Sequence, residues 1–591
     1  MDDLNAAAET SSAVPIGTVS DDWCADTPLN SRFPVYTRFN ANDVLPDPIT
    51  PLGADLVWKP QILPGLGFGY VELGALSASE AALDRSASPA GAFRYGHLYI
   101  NVTAARLNGI RSGLGWEVID AAFFGNHPDA PPHEPHPDDD DPVISARIAA
   151  RTEWTLTTET FSEIEEDTLI ADRLREARPD LSQMSNAALV SYARSMMPMV
   201  RLMCRGEVVG SASAAIGPAV IASVLPADMG ISPFDLVGPV GDVVSAEPAE
   251  QLWHLSREVR RDTGLGAAFD TGLVGLTDRL RRDHPEFSAS FDAFLRTYGY
   301  RGPAEWDIGA DTWETRPELA LALVDRLRHR DDDQSPGIRR AEAAARTELL
   351  LERVVERLSG DDAALATLQM GLASARRFAG WRERGKSNCV KVINEARVAL
   401  REWGNRLADE GHLDDASQIF MALDDDLDVL LHDPALVMPA IRQRAADWAC
   451  YAELEIPLFL DARIPRIPVL NLPARAPRET RAASPGDVLT GIPASGGTAS
   501  ARATVITDIS DIARFEPGNV LVAPQTDPSW TPLFLVAAAV VVDVGAPSSH
   551  AMIVSRELGI PCVAAVTQAT LRIVDGMHVT VDGSAGTVTI D

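Results

Sequence analysis

Between residues 180 and 451, apolar side chains recur at spacings of three and four, as at Leu319, Leu321, Leu323, Val324 and Leu327 and again through 349–358. That is the period of a helix with one buried face, and it predicts a mainly helical domain. From about residue 490 the rule changes. Short β-branched runs at 503–507, 519–523, 538–543, 578–582 and 587–590 lie between Gly, Pro and Asp turns, and one helical segment, 549–558, interrupts them. This predicts a compact α/β module. The stretch between, IPRIPVLNLPARAPRETRAASPG at 464–486, has the composition of a partly extended, mobile linker. Residues 1–30 are small and polar and suit a mobile tail. From Phe33 the chain is Pro-rich, shows no regular period and reads as loop-like. The expected organisation is a tail at 1–30, a mainly helical domain at 31–463, a linker at 464–489 and the α/β module at 490–591.

A length of 591 residues exceeds what one core organises, which agrees with this division. With 46% hydrophobic and 23% charged residues the chain is of ordinary globular composition. Its net charge of −32, from 84 acidic against 52 basic residues, repels phosphate backbones and anionic lipid, so nucleic-acid and membrane-surface binding are not expected. The apolar stretch 208–225 is broken by Gly210, Ser211, Ser213, Gly217 and Pro218 and reads as a buried helix pair or bend rather than a span. The acidic N-terminus has no signal-peptide pattern, and five scattered cysteines without C-x-x-C give neither a disulfide framework nor a zinc knuckle. A cytoplasmic location is expected. The loop 127–142, HPDAPPHEPHPDDDDP, offers histidines and aspartates to a divalent metal, but acidic Pro-rich loops are more often only solvated.

Two segments carry chemistry. In 540–563, VVVDVGAPSSHAMIVSRELGIPCV, an apolar strand enters a Gly/Pro turn at Gly545, Ser548 and Ser549 can cap the next helix, and His550 stands at its first turn. An anion carried on His550 would meet free backbone N–H groups and the positive end of the helix dipole. The second segment is basic. Lys386 and Lys391 are two of only three lysines in the chain, and they cluster with Arg376, Arg377, Arg382 and Arg384, where an anionic group would find positive charge. The same segment, Gly380-Trp381-Arg382-Glu383-Arg384-Gly385-Lys386-Ser387, is a literal G-x-x-x-x-G-K-S. Its helical surroundings and bulky interior argue against a nucleotide loop. Gly65-Leu66-Gly67-Phe68-Gly69 is weaker still. Arg301 and Glu305 are spaced as an ion pair or a site pair, and Glu305, Asp307 and Glu383 are the carboxylates available as a general base for an acceptor hydroxyl. His254, beside Trp253 and Leu255, reads as filler.

The segment 545–561 resembles the phosphohistidine signature of the swivelling domain shared by phosphoenolpyruvate synthases, pyruvate phosphate dikinases and rifampicin phosphotransferases, with Ala546, Met552 and Ser555 as departures. Flanking Gly491-Ile492-Pro493-Ala494-Ser495-Gly496-Gly497, Pro524 through Leu533, and Val581-Asp582-Gly583 agree with it. Tyr36-Thr37-Arg38, Leu45 through Leu52, Tyr298 through Asp307, and Trp381-Arg382-Glu383 to Lys386 resemble the acceptor domain of the rifampicin phosphotransferases, although Tyr300 stands where a histidine is more usual.

The resemblance implies a multidomain α and α/β protein: a large helical acceptor domain followed by a small swivelling β/β/α phosphohistidine domain. It implies an ATP-dependent, dikinase-type phosphotransferase in which His550 carries a phosphoryl group to a hydroxyl acceptor, ATP yielding AMP and phosphate. Glu305 and Lys386 join His550 as expected catalytic groups, and Arg301, Arg382, Glu383, Asp307, Ser549 and Gly545 as substrate- or phosphate-binding ones. With neither an ATP-grasp domain nor a barrel in the sequence, ATP and Mg²⁺ are expected on a separate ATP-grasp subunit, as in phenylphosphate synthases and two-component hydroxyacetophenone kinases. A phenolic acceptor follows from that likeness. The alternatives are an antibiotic or other secondary alcohol, or a regulatory phosphohistidine carrier without catalysis.

Overall fold

The computed structural model describes residues 23–42, 44–82, 87–124, 127–238, 247–474, 482–507, 509–526, 530–545 and 549–591. The expected tail through residue 22, linker residues 475–481, and Ala546, Pro547 and Ser548 of the signature lie outside them.

The region after Phe33 is not loop-like. Strands β1 (Val35–Thr37), β2 (Gly91–Arg94), β3 (His97–Asn101) and β4 (Phe459–Asp461) form an antiparallel sheet in the order β2-β3-β1-β4, so that residues more than 420 apart pair, with Tyr36 opposite Leu460. Between its strands a widened, π-type helix, Gly53–Ile62, holds Pro60 inside and continues into α1 (Leu63–Glu72). Proline cannot supply the usual i→i−4 donor, and its density disguised this helix in the sequence. The helices that follow are α2 (Ser162–Glu176), α3 (Asn186–Ser213) and α4 (Ile216–Val224). A Cβ on Gly69 would lie 1.8 Å from Val208 Cγ1, and one on Gly65 2.6 Å from the Arg201 carbonyl oxygen. The glycine run therefore lets α1 press on α3 and is no nucleotide loop. Among the described residues Asn186–Val224 is the one segment apolar and long enough to cross a membrane; it bends between α3 and α4, as expected of a helix pair.

Next come α5 (Glu247–Arg261), α6 (Pro285–Tyr298), α7 (Glu318–Arg328), α8 (Pro336–Arg357) and α9 (Asp362–Asp409). Helix α9, 48 residues long, is the spine of the domain, with α2, α3 and α4 against it. Gly380 to Ser387 lie within it, where a P-loop would need a strand and a turn. A Cβ on Gly385 would come 3.1 Å from Glu207 Cα, so this glycine serves the approach of α3.

The C-terminal domain is an eight-stranded sheet. Its strands are β5 (Val488–Thr490), β6 (Ile492–Ser495), β7 (Thr498–Val505), β8 (Val520–Ala523), β9 (Ala539–Val542), β10 (Cys562–Ala564), β11 (His578–Asp582) and β12 (Thr587–Ile590). The order is β5-β12-β11-β7-β8-β9-β10-β6, with the run β7 to β10 parallel and the rest antiparallel. Helices α10 (Thr531–Val536) and α11 (His550–Leu558) cover the side that faces the helical domain. One continuous apolar cluster runs from Leu252, Phe294 and Leu323 of α5, α6 and α7 into Leu533, Phe534 and Met552 of α10 and α11. The two domains are thus docked, and the multidomain α and α/β architecture is as the sequence predicts.

Candidate active site

Docking brings the two chemical segments together. His550 begins α11 with Ser549 as its N-cap residue, but the Ser549 side chain caps nothing: its Oγ is buried without a hydrogen-bond partner. The expectation of a cap by the Ser549 side chain is corrected, while Ser548 lies outside the described residues; the first turn of a helix offers N–H groups to an anion. A Cβ on Gly545, three residues after β9, would meet Ala564 Cβ at 2.9 Å. The imidazole is gripped on both sides, Nδ1 lying 3.0 Å from Thr526 Oγ1 and Nε2 3.1 Å from Thr531 Oγ1, with the Phe534 ring edge-on at 5.8 Å. Burial lowers its pKa to about 3; Glu383 opposes that shift, and Lys386, Arg301 and Arg382 of the helical domain reinforce it. At neutral pH the ring is therefore uncharged, with a lone pair for a phosphorus centre.

Across from it, α9 presents Arg382, Glu383 and Lys386. Lys386 Nζ lies 3.8 Å from Glu383 Oε1. Burial pushes the Glu383 carboxyl up, yet Lys386, Arg382, Arg301 and His550 together hold it below the usual range. Arg301 and Glu305 come from the loop after α6. Arg301 Nη1 donates to Glu305 Oε1 at 2.8 Å and Nη2 to Ser387 Oγ at 2.7 Å, and both partners of the ion pair are buried. Glu305 Oε2 has no partner, and burial raises its pKa against the pull of Arg301. A desolvated carboxyl with an unused oxygen suits a general base better than Glu383, which its cationic neighbours keep ionised.

Asp307 is spent elsewhere. It accepts from Thr50 N at 2.8 Å, Thr50 Oγ1 at 2.5 Å and Gly309 N at 3.0 Å, tying the loop to the start of the π-type helix. Arg397 of α9, fully buried, completes the support by donating to the carbonyls of Glu305 at 2.6 Å and Asp307 at 2.8 Å. Of the other basic residues, Lys391 pairs with Asp172, Arg376 donates to the Val237 carbonyl and Arg377 to that of Leu156, so these three brace the helices. Tyr300 is buried beneath the guanidinium of Arg175 and that of Arg301 and the ammonium of Lys391. His254 lies on an exposed groove between α5 and α6. In the loop 127–142, Asp139 is taken by Arg32 and His133, and no group of three or more metal-ligating side chains occurs among the described residues.

Ser387, Thr526, Thr531 and Glu557 escaped the sequence reading. Ser387 was visible only as the end of a false P-loop, and the threonines only as members of the flank 524–533. Glu557, two turns beyond His550, is buried against α8 and α9; burial, with Glu383 adding and Arg340 opposing, raises its pKa from 4.5 to about 8. A solvent-exposed Glu557 is ionised above about 4.5, so docking takes up a proton between pH 4.5 and about 8 and weakens as pH rises through that window. His550 has the opposite sign only below its ordinary 6.5. The radius of gyration from solution scattering is accordingly expected to grow between pH 6.5 and 8, and Glu557→Gln to flatten that rise; an equal rise in the variant would clear Glu557 of the effect.

A neutral, doubly held histidine facing cations and a desolvated carboxylate is an arrangement with the chemical means for group transfer, lying between the C-terminal domain and the helical domain. Comparison with known proteins agrees: residues 208–383 match the rifampicin phosphotransferase fourth domain and residues 515–586 the mobile domain of PEP-utilising enzymes. What the chain shares with PEP-utilising enzymes is these two regions, neither of which spans half of it. It is 30% identical over 309 residues to a rifampicin phosphotransferase of Streptomyces sviceus, covering 51% of this chain and 34% of that enzyme. It is 28% identical over 366 residues to an uncharacterised phosphotransferase of Bacillus subtilis, 58% of this chain and 42% of the other. An uncharacterised protein of Mycobacterium tuberculosis aligns at 27% identity over 588 residues, 95% of this chain and 62% of that protein. The chain thus spans less than two thirds of the length of these relatives.

Proposed function

We propose that this chain is the phosphotransfer component of an ATP-dependent, dikinase-type kinase. A separate ATP-grasp subunit, holding ATP and Mg²⁺, phosphorylates His550; the C-terminal domain then docks as described, and the phosphoryl group passes to a hydroxyl held beside Glu305. ATP, water and acceptor become AMP, phosphate and phosphorylated acceptor. The observation that carries this reading is the convergence of His550 with Arg382, Lys386, Arg301 and two carboxylates across the docked interface.

We place the acceptor among phenols. A phenol ionises near pH 10, as tyrosine does, so a carboxylate base with a raised pKa beside three cations has far less to do than for an aliphatic alcohol. The match of 208–383 to the rifampicin phosphotransferase domain favours a second reading, a secondary alcohol of an antibiotic. The test is AMP release by this chain with its ATP-grasp subunit, ATP and Mg²⁺ over a panel of phenols and rifamycin-type alcohols. Release driven by simple phenols supports the first reading and release only by the alcohols the second. Label retained stably on His550 with no acceptor in either set would favour a regulatory carrier.

A further inference from the structure

The two threonines that hold His550 travel with it. Thr526 follows β8, Thr531 opens α10, both are buried, and their hydroxyls address opposite nitrogens of the ring at 3.0 and 3.1 Å. Neutral imidazole has one N–H and one lone pair, so the hydroxyls have unlike roles: one accepts from the N–H and the other donates to the lone pair. Only the nitrogen with the lone pair attacks phosphorus. Its threonine must let go as the group arrives, while the threonine on the N–H has reason to hold harder, since that proton becomes more acidic as the ring turns cationic.

We propose that Thr526 and Thr531 are positioning residues that select the nitrogen of His550 to be phosphorylated: one hydroxyl is the displaceable cover of the nucleophilic lone pair, and the other is the fixed acceptor that sets the tautomer. The inference rests on His550 being the carrier. In the step itself the imidazole lone pair forms an N–P bond, the donor's bond to phosphorus breaks with its electrons leaving on the departing group, and the remaining N–H stays on its threonine. When that ring proton is lost, the neutral phosphoimidazole is left.

The roles predict asymmetry between two near-isosteric variants. If the covering threonine becomes valine, the ring keeps its tautomer, and the same nitrogen is attacked at an equal or higher rate. If the anchoring threonine becomes valine, the ring N–H would be buried without an acceptor, which disfavours that tautomer. The ring then adopts the other tautomer, donating to the threonine that remains, and the opposite nitrogen is exposed. The full-length chain and its Thr526→Val and Thr531→Val variants are treated with potassium phosphoramidate, whose P–N bond breaks to release ammonia, and the His550 peptide is assigned as 1- or 3-phosphohistidine by phosphorus NMR under alkaline conditions. In parallel, nitrogen-15 shifts of His550 in unphosphorylated chain labelled at histidine report the tautomer. A single isomer is expected in the parent and in one variant, with the other isomer making up half or more of the product in the second, and the tautomer is expected to reverse in that same variant. One unchanged isomer and tautomer throughout, or the same change in both variants, overturns the proposal. The tautomer result decides even if phosphoramidate labels nothing, whereas failure of the ATP-grasp subunit to label parental His550 counts against the carrier reading alone.

Discussion

His550→Ala should abolish phosphorylation of the acceptor while the chain stays folded. Among the described residues at the docked interface, the imidazole alone combines an uncharged nitrogen nucleophile with a place at a helix N-terminus, so no neighbour there can take over the phosphoryl group. Alanine is tolerated at the first helical position. Thr526 and Thr531 lose their shared partner, a stability cost on the order of 1–3 kcal/mol, which lowers the melting temperature without unfolding a chain of this size. The measurement is product formation with the ATP-grasp subunit and ATP, alongside a melting curve. Turnover retained in a folded variant would remove the carrier mechanism.

The second large effect is expected from the cations of α9. Lys386→Met and Arg382→Met keep side-chain volume and delete charge, and each should slow transfer from pre-phosphorylated His550 to the acceptor by roughly 10² to 10³, the scale set by losing one preorganised electrostatic contact in a transition state. A surface ion pair would behave otherwise, being worth only about 0–1 kcal/mol and leaving turnover nearly unchanged. Starting from phosphorylated His550 isolates the step from nucleotide chemistry. Lys386→Met carries a second signature. Lys386 is the foremost of the charges that keep Glu383 ionised, so the variant should move the titration of the Glu383 carboxyl, followed by carbon-13 NMR, toward higher pH. Near-normal single-turnover rates in both variants would put the acceptor on another face of the helical domain.

Much of this was legible in the chain. The 3.6-residue period located α7 and α8, β-branched runs located most strands of the C-terminal sheet, and the Gly/Pro and Ser pattern before His550 located α11, because each is a local property. The four-stranded sheet was not legible: β1 and β4 are three residues each and find one another across the whole helical domain. The charge cluster at 376–391 was read as one group. The helix sorts it, since Arg382 and Lys386, four apart, share the face that meets His550, while Arg376, Arg377 and Lys391 turn to other partners. Asp307 looked like its neighbour Glu305, and only the return of Thr50 from 257 residues away makes it structural. Nor does any local pattern reveal that Arg178 bridges Glu314 and Glu395, the pair that ties the Arg301 loop to α9 from behind.

The unbroken length of α9 has a mechanical meaning. At 1.5 Å per residue it is a rod of roughly 70 Å, and Glu383, Ser387, Asn394 and Arg397 recur along it at close to whole turns of 3.6 residues. The residue that faces the histidine, the one that holds Arg301 and those that prop the Glu305 loop are therefore graduations on one continuous helix edge, fixed in spacing and in phase. Nothing on that edge can shift alone. Under the proposed function the helical side is an anvil, and the pace of transfer is left to how often, and how squarely, the smaller domain strikes it.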